Sequence, residues 1–597
     1  ISFANTTNSF FRRLDIAKPA GTQGMLNTNV RAGAVRFAGF NAVTLTGVAG
    51  PPLSRLLVDS ILGQSTSSSI ASPLVIDWAG NTGSLLDSGN INVDTLVATG
   101  TTQSIPRFGP GFGTYTYQSL RIGQQSGTVA SIAATPFPIG NDLVISSGSL
   151  QPNGAKVAVT GNLRTESTGF LRMNNALDSV GVGVNATFAG GSSATFMTAG
   201  ILTVAGDLSS PSGDAFAFAP SGTHRTRLNG SATQTVSFAV PGSSLFHRLE
   251  VNKPAGAGQQ LRLSGTQVVV NDSLHVQNGS EIVSVSTARL TVNGGFRWQG
   301  SGLDGPTVRP LTLEVNPVRF HVDSTSVGAP RIFPDTMVFI GATGGVYPLV
   351  PTSNYIAWKS IRVNLSGTTD SVVWSAFGAN DTLTGDLVVR NGLFVLQNGA
   401  TSVQKLKTEL NGVLRMATSG ITLTVRDSAV FGGSATGGQL TNGTLRLQGH
   451  FLQAGAATAF QASGSHMTEF NGAAQQNIFF TNPGSGVSNS RFGHMRLARS
   501  GAARERVGLV TNVFAGLLSD TSLGQADSIL GGAATTLTVD SVQLNNTFFN
   551  KVPLVISSPS AAMTVQGMRF ENMDSTTTYL TASRNVSVQM TLNSVNF

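Results

Sequence analysis

LTVDSVQL (537–544), MTVQGMRF (563–570) and MTLNSVNF (590–597) decide the fold. All three read apolar-Thr-apolar-polar-small-apolar-polar-apolar, and their starts lie 26 and 27 residues apart. Alternation at period two marks a strand with one buried face, and Val, Leu, Phe, Met and Thr suit a pleated, half-buried surface. Looser relatives recur upstream, as VTLTGV (43–48), LTVNGGF (290–296) and LEVNPVRF (313–320). Gly, Asn, Ser and Asp clusters punctuate the intervals, among them GGSS (190–193), QNG (277–279 and 397–399) and NPGSG (482–486), and these compositions make turns. Amphipathic helical patterns of useful length are scarce.

A strand motif returning every ~26 residues without helices in between admits few folds. An antiparallel sandwich spaces its strands at roughly 8–12 residues. The longer spacing points to an all-β chain wound as a parallel β-helix, or β-solenoid, in which each turn of chain lies on the last. Copies of a strand then stack on one another, like on like, and turn Asn residues form amide ladders. RFENM (569–573) and QLNNTF (543–548) fit that role. With ~26-residue coils and ~4.8 Å between strands, the chain makes ~23 coils and a rod ~110 Å long.

A second period, of about 240 residues, contains the first. GFLRMNNALDSVGVGVNATFAGG (169–191) matches GVLRMATSGITLTVRDSAVFGG (412–433) at an offset of 243. LTVAGDL (202–208) matches LRLQGHF (445–451) at 243, and SGTHRTRLNG (221–230) matches SGSHMTEFNG (463–472) at 242. The stretches around Leu14, Leu249 and Met495 also correspond, at offsets of 235 and 246. The expected organisation is a partial unit over 1–113, a super-repeat over 114–355 and another over 356–597, in one continuous solenoid. Ile1–Ala4 matches Val236–Ala239, so the chain begins inside a unit, and MTLNSVNF at its end is a bare strand without a polar cap. A segment of a longer protein, or a subunit that stacks end to end, is the expectation.

The turn Asn residues, the L-T-V-x-x-V-x-F rungs and the segment SATQTVSFAVPGSSLFHRLEVNKPAG (231–256) resemble the repeats of large secreted or surface-attached bacterial proteins of the parallel β-helix type. The resemblance implies a right-handed coil, an extracellular or cell-surface location, and a structural role as fibre, stalk or adhesin. It also implies partners that are other copies of the chain, flanking segments of a longer one, or surface polysaccharide. Some proteins of this fold class cleave polysaccharides, which leaves a lyase, a hydrolase or an acidic-glycan-binding module as the alternative.

Composition agrees with export and argues against several chemistries. None of the 597 residues is Cys, so disulfides and thiolate metal sites are excluded. Charged residues are 11% of the chain, and a net charge of +8 is spread without a basic run. Nucleic-acid binders concentrate such charge in patches, so no nucleic-acid partner is expected. No apolar run approaches the ~18 residues of a membrane helix.

The search for sites returns little, and the chain is read as a non-enzyme with no cofactor. Asp370, Asp381 and Asp386 form the densest acidic neighbourhood and read as turn residues. His224 and His466 are repeat equivalents and read as solvent-facing strand positions. GSGLDG (300–305) reads as a simple turn, and stray G-x-G matches in a chain with 70 Gly carry nothing. The best idea is a basic ladder of repeat-equivalent residues: Arg13, Arg248 and His494 in one set, Lys18, Lys253 and Arg499 in the other. Of these, Arg13, Lys18, Arg248, Lys253 and Arg499 are the candidate weak contacts to a polyanion.

Overall fold

A computed structural model describes residues 10–18, 22–37, 43–47, 53–63, 69–80, 90–105, 115–132, 135–211, 213–254, 260–278, 280–285, 288–299, 307–310, 312–322, 331–332, 334–343, 346–349, 358–375, 381–498, 506–521, 527–531, 534–557, 564–565, 567–572 and 576–582. These residues are all-β: strands, turns and a single 3-10 turn at Pro317–Arg319, with no α-helix. No helix among them is long and apolar enough to cross a membrane. Ile1–Ala4, Gly256, the GSGLDG loop, Arg499 and the terminal MTLNSVNF lie outside the described residues.

The strands pair in parallel, turn upon turn, as a β-solenoid of about 19 turns. By compactness the chain divides into Ile1–Leu311 with His321–Arg331, and Thr312–Phe320 with Ile332–Phe597. In the first unit one inward column runs Val159, Val182, Val204, Leu228, Val251, Val276, all of them buried. A neighbouring column runs Leu143, Leu163, Ala186, Leu208, Val236, Leu263. In the second unit Leu423, Leu445, Thr468, Met495, Leu518 and Val542 stack in the same way. Each buried aliphatic or aromatic side chain contributes roughly 1.5–3 kcal/mol from burial. The strands' own N–H and C=O groups bond to the turns above and below, so the backbone is satisfied along the stack.

Phenylalanines thicken both cores at equivalent places. Phe188, Phe218, Phe238 and Phe246 cluster in the first unit, with Phe218 and Phe246 ring centroids 5.5 Å apart. Phe431, Phe460, Phe480 and Phe492 do so in the second, where Phe451 takes the place of Leu208 and joins the cluster.

Two expectations need correction. Copies of the short motif stack only in part: the strand of LTVNGGF pairs with that of LEVNPVRF, but among the described residues LTVDSVQL meets MTVQGMRF only where Gln543 pairs with Thr564 and Leu544 with Val565. Leu537 of LTVDSVQL pairs with Leu554, and Met568–Phe570 of MTVQGMRF pairs with Thr547–Phe549. Spacing between stacked residues varies from 17, at Leu537 and Leu554, to 31, at Ile478 and Leu509. Each turn carries more than one strand and turn length varies, so a fixed period does not by itself set which strands meet. The amide ladders are also shorter than expected. Asn572 donates to Asn550 at 3.1 Å and Asn293 to Asn271 at 3.0 Å. In QLNNTF, by contrast, the backbone N–H groups of Asn545 and Asn546 both donate to the buried Asp520 carboxylate.

Candidate functional site

The basic ladder does not converge. Arg13 is exposed and forms an ion pair with Asp15 on its own strand at 2.7 Å. Lys18 donates to the carbonyl of Gln23 at 2.7 Å. The Arg248 Nε donates to Asp272 at 2.6 Å. Lys253 lies inside. On the strand Phe246–Lys253 the inward positions are 246, 249, 251 and 253, and the last of these is a lysine. Its ammonium donates to the carbonyl of Ala232 at 2.8 Å and to Oε1 of Gln234 at 2.7 Å. Burial pushes its pKa down to about 8.

The histidines are corrected outright. His224 and His466 do not face solvent; both are fully buried. In the first unit the pattern before and along Arg225–Leu228 is inward at 224, 226 and 228, and His466 holds the same phase. Each Nδ1 lies 2.9 Å from a carbonyl of the preceding turn, Ala199 for His224 and Asn442 for His466. A carbonyl only accepts, so Nδ1 carries the proton. Neither Nε2 has a partner among the described residues. Burial lowers both pKa values to about 4.

Asp370 caps a turn: its carboxylate accepts from the Gly367 N–H at 2.9 Å and from the Thr343 hydroxyl at 3.1 Å. Asp386 receives its structure from Ser360, whose hydroxyl oxygen accepts the Asp386 N–H. Asp381 lies on a short strand whose side chains are outside the described residues. Among the described residues no three His, Asp or Glu gather as metal ligands would.

Two constellations escaped the sequence reading. The first is a buried glutamine clamp, found at repeat-equivalent places in the two units. Gln234 accepts from the Gly230 N–H at 3.0 Å and donates to the carbonyls of Val204 and Gly206 at 3.0 and 2.6 Å. Gln476 accepts from Gly472 at 3.0 Å and donates to Leu447 and Gly449 at 2.9 and 2.8 Å. The glycine is required because a Cβ on Gly230 would sit 1.8 Å from the Ala205 carbonyl oxygen, and one on Gly472 2.1 Å from that of Gln448. The signal was the shared spacing NGxxxQ at 229–234 and 471–476.

The second is a row of charges on the outer face. In the first unit Glu250 pairs with Arg227 at 2.8 Å and Arg225 at 2.9 Å. In the second, Glu469 occupies the place of Arg227 and pairs with Arg446 at 2.5 Å and with Arg496. The change from Arg227 to Glu469 is matched by the change from Glu250 to Arg496, so the signs alternate up the stack in both units.

The second unit also contains a recess of about 480 Å³. Its floor is glycine, from Gly438, Gly464, Gly493 and Gly516, and its wall is Ser485–Val487 with Arg491. That wall exists because a turn is longer here. Seven residues, Ala239–Leu245, join Phe238 to Phe246, whereas eleven, Thr481–Arg491, join the equivalent Phe480 and Phe492. The insertion was visible in the sequence as the step in repeat offset from 242 to 246.

No family model, no curated protein and no solved structure matches the chain.

Proposed function

We propose that this chain is a structural β-solenoid of an extracellular or cell-surface protein, bacterial in type, serving as fibre, stalk or adhesin segment. The observation that carries the reading is the way polar residues are used. Lys253, both buried histidines and both glutamine clamps bind backbone groups of a neighbouring turn or one another, and the outward arginines pair with carboxylates on the same or adjacent turns. These groups hold turn to turn, which is what a load-bearing stack requires. Low charge and the lack of Cys suit a chain that folds outside the cell.

Two measurements test this. Negative-stain electron microscopy of the purified chain should show rods. Protease added to intact cells of the source organism should digest the protein. Compact globular particles, or a pool wholly protected until the cells are lysed, would overturn the reading.

A further inference from the structure

The glycine-floored recess has the features of a built binding site. Its inserted wall is held from both sides: the Gln461 side-chain amide donates to the Val487 carbonyl at 2.6 Å, and Arg491 Nη1 donates to the Ser485 carbonyl at 3.2 Å. Within the wall, Gly484 N–H donates to Ser490 and Asn489 N–H to Gly486. The wall is therefore preorganised, and a ligand meets a shaped surface without first ordering it.

The floor differs from its counterpart in the first unit. There the row beside Phe246 carries His247, and across from it a bulge presents Asn271 and Asp272, the latter paired with Arg248. In the second unit that row carries Gly493 opposite Gly516, and both glycines line the recess. The volume falls within the roughly 300–1,000 Å³ of small-ligand sites.

Three features choose the ligand. First, charge is balanced: Arg491 Nη2 is paired with Asp540 at 2.8 Å, so the site has no uncompensated charge to attract an acid. Second, the hydroxyls of Ser463 and Ser485 are exposed and have no partner among the described residues. They can each donate and accept. Third, the recess crosses the strands. It draws on four successive turns, through Gly438, Gln461, Arg491 and Gly516, and so spans about 14 Å along the stack. The strands' N–H and C=O groups point along that direction and are used by the turns above and below. An extended peptide lying there finds no open edge to pair with, whereas a chain of hydroxyls finds both donors and acceptors.

We propose that this recess binds a short, neutral, linear oligosaccharide. The inference does not rest on where the protein resides. Binding is read on purified protein, so a failure here leaves the surface role standing, and a failure of the surface role leaves this result standing.

The test is an array of neutral and acidic oligosaccharides, with a peptide array beside it, followed by titration calorimetry on the best neutral hit. Ser463→Trp and Ser485→Trp fill the recess from exposed positions, and unchanged thermal melting shows that they fold. The expected result is a neutral hit that is insensitive to salt and weakened at least about tenfold by either substitution. Arg248→Ala in the first unit should leave binding unchanged. Absence of neutral hits, hits confined to acidic glycans or peptides, or a neutral hit that survives both tryptophan variants each overturns the proposal.

Discussion

The stretches 202–253 and 445–498 are two versions of one design, and they differ by substitution in some places and by insertion in another. At two sets of exchanged residues the physical role survived. Arg227 and Glu250 became Glu469 and Arg496, and the outer row kept its alternating signs. Asp207, which accepts the Thr235 N–H at 2.6 Å, is replaced by His450, whose Nδ1 accepts the Asn477 N–H at 3.1 Å. Where four residues were inserted, the core beneath did not move out of register: Phe480 and Phe492 still pack at 5.1 Å, as Phe238 and Phe246 do at 5.3 Å. A stack constrains what faces inward and what bonds between turns. It tolerates length in the turns, because loop closure costs grow slowly with length.

The comparison breaks most visibly at the aromatic cores. Phe218→Ala and Phe460→Ala should each cost about 3–5 kcal/mol. Phe460 should cost more, because Phe431, Phe451, Phe480 and Phe492 all surround it. Hydrogen exchange on the flanking strands measures this locally, as suits a repeat stack. Equal protection losses at the two sites would show that the extra phenylalanine adds nothing.

The buried histidines come next, and they should behave alike. An ordinary histidine titrates near 6.5, and these two are held at about 4 in the folded chain. The unfolded chain therefore binds more protons between those values. Stability is full above pH 6.5 and declines as pH falls toward 4, by about 3 kcal/mol for each histidine. Melting profiles of His224→Leu and His466→Leu should each lose their share of that slope, whatever happens to absolute stability. An unchanged slope would mean the rings are protonated or hydrated when folded.

Replacing either clamp, as Gln234→Leu or Gln476→Leu, strands a turn N–H and two carbonyls in the interior. A loss of about 3 kcal/mol is expected from unsatisfied buried groups, read as a drop in melting temperature. A change within error would mean that water replaces the amide.

The smallest effect concerns the outer charges. Glu250→Gln should cost under about 1 kcal/mol, as partly exposed pairs do. Glu469, buried between two arginines, should cost more when changed to Gln. The double exchange Arg227→Glu with Glu250→Arg should be milder than Arg227→Glu alone, and a double-mutant cycle checks it.

Much of this architecture was legible before any coordinates. Period-two alternation, turn punctuation and nested repeats lead to a parallel β-solenoid, because only a stack lets so many similar strands bury one face. The site residues were less legible, for a reason visible at Lys253 and His224. Their chemistry suggested the surface, while their phase, two residues on from Val251 and two before Thr226, placed them inside. In a strand, phase outranks polarity whenever a backbone carbonyl or an amide stands ready to take the proton donor.

The sequence alone determined the strand pattern, the repeat equivalences and the step in offset at the long turn. Which strands stack on which was decided only by the tertiary structure, because the turns vary from 17 to 31 residues and no single period sets the pairing. The same holds for the recess. Its lining comes from separate stretches between 438 and 516, and only winding the turns at one strand spacing brings them to a single wall and floor.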